Sequence, residues 1–185
     1  MSTITRVLND ESIHEAVVEA ARITADALKR GCKLMVCGNG GSAADAQHLV
    51  AEFVSRLVQD RPALRAIALT TDSSILTAIG NDYSYENVFE RQVEALGIAG
   101  DVLLTISTSG NSKNCIKALK LARGMGIHTV SYLGNEGGMM KEISDISVIV
   151  PSNVTMHIQE SHLALEHIFC MLVECFYFGK DASAM

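Results

Sequence analysis

The chain has 185 residues, 48% of them hydrophobic and 19% charged, with a formal net charge of −6. That length suits one compact unit with a sizeable core, and the balance excludes a disordered chain. With 15 basic residues against 21 acidic ones, nucleic acid is excluded as a default partner, although one locally positive pocket can still take a small anion.

Met1 to Asp10 is polar and lacks the basic start and apolar block of a secretion signal. A helix is predicted over Ser12–Arg30, before a first buried strand at Lys33–Cys37. Helical periodicity follows over Ser42–Leu57, then a strand at Ala66–Thr70 and helices at Ser73–Gly80 and Tyr85–Leu96. Next come a strand at Val102–Ser107, a helix at Ser112–Met125 and a strand at Thr129–Leu133. The series closes with a short turn near Met139–Ile143, a strand at Ile146–Val150 and a long helix over His157–Phe176.

Strands alternating with helices pair in parallel through right-handed crossovers, so a three-layer αβα sandwich on a sheet of about five strands is expected. No linker or repeat divides the sequence, which predicts a single domain over 1–185 with an N-terminal helix and a long C-terminal one. No apolar run reaches the roughly 20 residues of a bilayer span, so no membrane partner is expected. Five scattered cysteines without a Cys-x-x-Cys read as reduced thiols in a cytoplasmic protein. The large apolar residues all round the last helix, among them Ile168, Phe169, Leu172 and Phe176, suit a core helix that also meets another subunit.

In such sheets ligands bind beyond the C-terminal ends of the strands. After the first strand stands Cys37-Gly38-Asn39-Gly40-Gly41-Ser42, whose glycines let backbone approach a ligand and whose helix offers free N–H groups to an anion. Gly38, Gly40 and Ala43 match the spacing of a dinucleotide fingerprint. The acid that would hold the ribose is missing from the next strand, the next one being Asp72, which contradicts a nicotinamide-dependent oxidoreductase. After the third strand stands Ser107-Thr108-Ser109-Gly110-Asn111-Ser112. One hydroxyl would satisfy a helix cap; four suit a phosphate cradle that needs no lysine.

His48, Glu52 and Arg56 are four apart and are expected to form one stripe on the helix that springs from the Gly-rich loop. A histidine and a carboxylate so placed can hold a metal, or Glu52 can serve as a base. Gln159 and His167 are two turns apart near the start of the last helix and share a face, with His162 beside them. Among Leu163, Leu165, Ile168 and Phe169, His167 taken locally reads more readily as a partly buried core histidine than as a ligand.

With these motifs in order, and with Gly80-Asn81-Asp82 between them, the chain resembles the sugar isomerase (SIS) domain family over essentially its whole length. Within that family it is most similar to the phosphoheptose isomerases. The resemblance implies a flavodoxin-like sandwich assembled as a homotetramer, with active sites at subunit interfaces. It implies conversion of sedoheptulose 7-phosphate to D-glycero-D-manno-heptose 7-phosphate, the entry to activated heptose for bacterial surface polysaccharide. It also implies one zinc ion per subunit, held by His48, Glu52, Gln159 and His167. Asn39, Gly40, Gly41, Ser42, Asn81 and Asp82 match positions that contact the sugar, together with Glu52 and Gln159. Ser107, Thr108, Ser109 and Ser112 match the phosphate cradle, and Glu52 and His167 the catalytic pair. Some relatives of this fold bind a replication initiator without catalysis and lack a carboxylate at the position of Glu52. Others act on pentose, hexose or amino-sugar phosphates.

Overall fold

A computed structural model describes residues 2–58 and 60–179; Met1, Gln59 and 180–185, which the single-domain expectation over 1–185 included, lie outside the described residues. Five parallel strands, β1 (Leu34–Gly38), β2 (Ala66–Ala68), β3 (Val102–Ser107), β4 (His128–Leu133) and β5 (Ile146–Ile149), pair in the order β2-β1-β3-β4-β5. That is the flavodoxin-like order. β1 and β3 are buried at every position, as apolar runs covered on both faces should be, whereas β2 and β5 at the edges are only partly buried.

Side chains alternate across each strand and so feed two cores. Leu34 and Val36 of β1 pack with Leu104 and Ile106 of β3 against α2 (Glu11–Lys29), α3 (Gly41–Val54) and α8 (Thr155–Phe178). Met35, Cys37 and Leu103 point the other way, against α5 (Glu90–Leu96) and α6 (Lys113–Gly124). The remaining helices are α1 (Thr3–Leu8), α4 (Ser73–Asp82) and α7 (Gly138–Lys141).

Three expectations change. The N-terminal segment is not merely a polar tail: Thr3–Leu8 is helical, started by the Ser2 hydroxyl accepting from the Thr5 N–H at 3.2 Å. Tyr85–Leu96 is not one helix but a 3₁₀ turn at Tyr85–Asn87 followed by α5. There Ser84 donates to the Asn87 side chain at 2.7 Å, a local bond that competes with helix, and Val88 and Phe89 turn fully into the core. Finally, α8 is long and apolar enough by length and composition to cross a bilayer, against the expectation that nothing was. Half of that stretch is buried within the fold, and it packs on α2 and α3 as a core helix.

Candidate active site

The chain order reverses between β1 and β3, and both unusual loops leave the sheet there. Gly40, at φ 57, starts α3, and its carbonyl accepts from the Ala43 and Ala44 N–H groups at 3.1 and 3.3 Å. Ser42 is buried, its backbone closing on Gly38 so tightly that a Cβ there would collide with it. At Gly41 a Cβ would meet the tip of the Gln159 side chain, which puts the start of α8 against the start of α3.

Asn39 is held rather than free. Its side chain and that of Asn114 exchange two amide bonds, at 2.9 and 2.8 Å, and the Tyr85 hydroxyl donates to Asn39 Oδ1 at 3.2 Å. These bonds join the β1 loop to the start of α6. Sequence reading passed over Asn114 and Tyr85; the available signal was a polar residue beside Cys115 and Ile116 on the buried side of α6.

In the second loop, Ser107 Oγ lies 2.8 Å from Ser112 Oγ and 3.5 Å from Ser109 Oγ. Ser112 occupies the N-cap position of α6, yet its side chain caps nothing. The Ser107, Ser109 and Ser112 hydroxyls gather toward one another at the start of α6, an arrangement that suits an anion. A loop missed by sequence reasoning braces this one. Asn135, at φ 55, donates its side-chain amide to the Thr108 carbonyl at 2.9 Å and its backbone N–H to Ser152 at 2.8 Å.

α3 and α8 bring together the third group. His48 Nε2 and His167 Nε2 are 2.8 Å apart, and Glu52 Oε1 is 3.7 Å from His48 Nε2. His167 therefore faces another candidate ligand across the helix pair, and the reading as a mere core histidine is corrected. Arg56 does not share the stripe: α3 ends at Val54, which leaves Arg56 exposed beyond the helix. Asn81 and Asp82 sit exposed at the end of α4, bonded to each other at 2.8 Å. Asp72, the first acid after β2, caps α4 through a 2.9 Å bond from the Ile75 N–H, which accounts for its presence without a ribose.

The three ligand atoms of His48, Glu52 and His167 lie within 4.8 Å of one another. Zinc with ligands near 2.0–2.1 Å in tetrahedral geometry sets them roughly 3.3 Å apart. The observed 2.8 and 3.7 Å straddle that spacing, and imidazole and carboxylate suit zinc. The residues fit the ion.

Behind this group, Glu166 is fully buried with neither carboxylate oxygen bonded to any described residue. Burial, and then the nearby Asp45, push its carboxyl from 4.5 up to about 8. Burial moves His162 from 6.5 down to about 4, against the pull of its bond to the Leu133 carbonyl. A raised acid stabilises the fold below its unfolded value and loses that contribution as pH rises through the folded one; a depressed histidine loses its contribution as pH falls. His162 is present in wild type and in Glu166→Gln alike, so the difference between the two proteins isolates Glu166. Denaturant titrations of the metal-free protein should show wild-type stability falling, relative to Glu166→Gln, by about 1.5 kcal/mol between pH 6.5 and 8. A constant gap between the two proteins would show that Glu166 does not titrate in that window.

A hydroxyl-rich loop at the switch point of a parallel sheet, with a histidine–carboxylate group between α3 and α8, places the chain among αβα proteins whose ligand sites lie beyond the C-terminal ends of the strands. The SIS domain family model matches residues 2–134. A phosphoheptose isomerase of Akkermansia muciniphila is 55% identical over 88% of this chain and 86% of its own. The phosphoheptose isomerase structure from Neisseria gonorrhoeae is 46% identical, with a TM-score of 0.82 over 86% of this chain and 85% of that one. The one from Francisella tularensis is 35% identical, with a TM-score of 0.88 over 92% and 90%. The chain belongs to the SIS domain family, among its phosphoheptose isomerases.

Proposed function

We propose that this protein is a ketose–aldose isomerase converting D-sedoheptulose 7-phosphate to D-glycero-D-manno-heptose 7-phosphate, the first step toward activated heptose for bacterial surface polysaccharide. The observation that carries the reading is the convergence of two helices on His48, Glu52 and His167, beside a loop whose serines gather without capping. The names of the relatives agree with it.

The chemistry asks little else. The phosphate is gripped by Ser107, Thr108, Ser109 and Ser112 with the first amides of α6. Asn39, Gly40, Gly41 and Ser42 line the path to the reacting end, and Asn81 and Asp82 contribute where subunits meet. Glu52 takes the proton from carbon 1, giving an enediol, and a proton returns to carbon 2 to complete the aldose. His167, through the ring nitrogen that a metal would leave unbound, moves the hydroxyl proton from oxygen 1 to oxygen 2, so atoms balance without any redox partner. A zinc ion held by His48, Glu52, Gln159 and His167 supplies a Lewis acid for the developing oxyanion. A carboxylate has two oxygens, so Glu52 can ligate through one and accept a proton on the other.

A homotetramer with interfacial sites is part of the proposal, supported by Leu163 and Ile168, which leave exposed apolar surface on α8. Five scattered cysteines without a Cys-x-x-Cys support a reducing, cytoplasmic setting.

Metal-stripped protein incubated with sedoheptulose 7-phosphate in D₂O, with and without zinc, is the test. The expected NMR result is zinc-dependent heptose 7-phosphate carrying deuterium at carbon 2. Folded, zinc-loaded protein that forms no aldose would sink the heptose assignment, and other sugar phosphates would then be tried.

A further inference from the structure

Glu52 stands in the last turn of α3, which ends two residues later at Val54. Carbonyls there have no helical partner, and such a turn frays unless something binds them. No basic residue lies in that turn. Arg61 takes the place from the following loop. Its Nη2 donates to the Glu52 carbonyl at 2.6 Å, and its Nη1 to the Phe53 carbonyl at 2.7 Å and to those of Pro62 and Ser55 at 3.1 and 3.4 Å.

The Nε–H of the same guanidinium crosses to the other helix of the site. Arg61 Nε lies 2.8 Å from Glu174 Oε1, and the two side chains are only 3% and 2% exposed. Glu174 is on α8, seven residues beyond His167, so two helical turns put them on one face. Beside this bridge Phe53 and Phe169 stack at 5.9 Å, each within two residues of Glu52 or His167. A buried ion pair adds little stability over an apolar pair of the same shape. What a planar fork adds is direction: it binds several carbonyls and a carboxylate at once, which an ammonium cannot do.

We propose that Arg61 and Glu174 are a positioning pair that sets Glu52 against His167, and through them zinc affinity and turnover; this rests on the isomerase reading above. Arg61 touches neither substrate nor metal. It acts by stopping the Glu52 turn from fraying and by tying that turn to the helix that carries His167.

Two variants test it. Arg61→Lys keeps a charge opposite Glu174 but cannot span the carbonyls. Arg61→Met with Glu174→Leu removes both charges together, so none is left buried alone. For each, zinc binding to the metal-stripped protein is measured by calorimetry, beside kcat, KM and Tm. The expected result in both is zinc binding weakened by about 10–100-fold, the range for residues that orient ligands. Turnover should fall by a similar factor with KM within about twofold of wild type. If the double variant does not fold, Arg61→Lys decides. A folded variant with wild-type zinc affinity and kcat, whatever its Tm, would overturn the proposal. Wild-type protein that binds zinc yet makes no heptose would remove the isomerase reading alone, since the affinity difference decides the pair by itself.

Discussion

Glu52→Gln is expected to lower kcat by about 10²–10⁴-fold, the contribution of a well-placed general base, while leaving the fold intact. The two halves of that expectation come from different places in the structure. Glutamine has the size of glutamate, and the Glu52 side chain, 19% exposed, makes one ion pair among the described residues, 3.7 Å from His48. The turn is held by its backbone carbonyl to Arg61 and by Phe53 in the core, neither of which the change touches. Stability should therefore stay within about 0.5 kcal/mol. Chemistry should not, because an amide cannot take a proton from carbon. Zinc can still be held by His48, Gln159, His167 and the amide oxygen, though less tightly. Kinetics at saturating zinc separate weaker binding from lost base catalysis. Turnover at the wild-type rate in that assay would remove Glu52 from proton transfer and leave it at most a ligand.

How much of this was legible in the sequence follows distance along the chain. β1 and β3 announce themselves because a central parallel strand, covered on both sides, must be apolar throughout, and both loops betray themselves by residue types a plain turn does not need. α1 is six residues long and carries too short a pattern to register against its surroundings. The end of α3 was placed at Leu57 because the helical period runs on past Val54. Past Val54 the chain turns back, and the last carbonyls are taken by Arg61 and by the Leu64 N–H at 3.0 Å, so Arg56 lies off the helix face its spacing suggests. Asn114, Arg61 and Glu174 carry little local signal, because each is fixed by a partner far along the chain. Asn39 and Asn114 are 75 residues apart, Arg61 and Glu174 are 113 apart, and neither pair has a spacing to recognise. His48 and His167, 119 apart, were paired only because a family resemblance linked them; local sequence favoured a core histidine.

Gly110→Ala should be the second large loss, and it tests the other half of the site. Gly110 has φ 65, a conformation that costs an L-residue roughly 1–2 kcal/mol. The added Cβ would also run into the backbone of Gly137 and Gly138, which cannot step aside as a side-chain tip can. The two loops are pinned at that contact: Met140 N–H donates to the Gly110 carbonyl at 2.9 Å and Met139 N–H to Asn111 Oδ1 at 3.0 Å. Relief therefore has to come from the loop shifting as a whole, which opens the Ser107, Ser109 and Ser112 cluster and turns the first amides of α6. With overpacking worth about 1–3 kcal/mol, stability should fall by about 2–5 kcal/mol in sum. A displacement near 1 Å can cost about 10²-fold in a positioned reaction. On the proposed reading the cradle grips the phosphate and takes no part in proton transfer, so that factor should fall on KM, whereas in Glu52→Gln it falls on kcat. Gly124→Ala, on α6 with open space around the new methyl, is the control and should behave as wild type. A folded Gly110→Ala enzyme with wild-type KM would mean that the gathered hydroxyls do not hold the phosphate, and the anion site would have to be sought along the Gly-rich start of α3 instead.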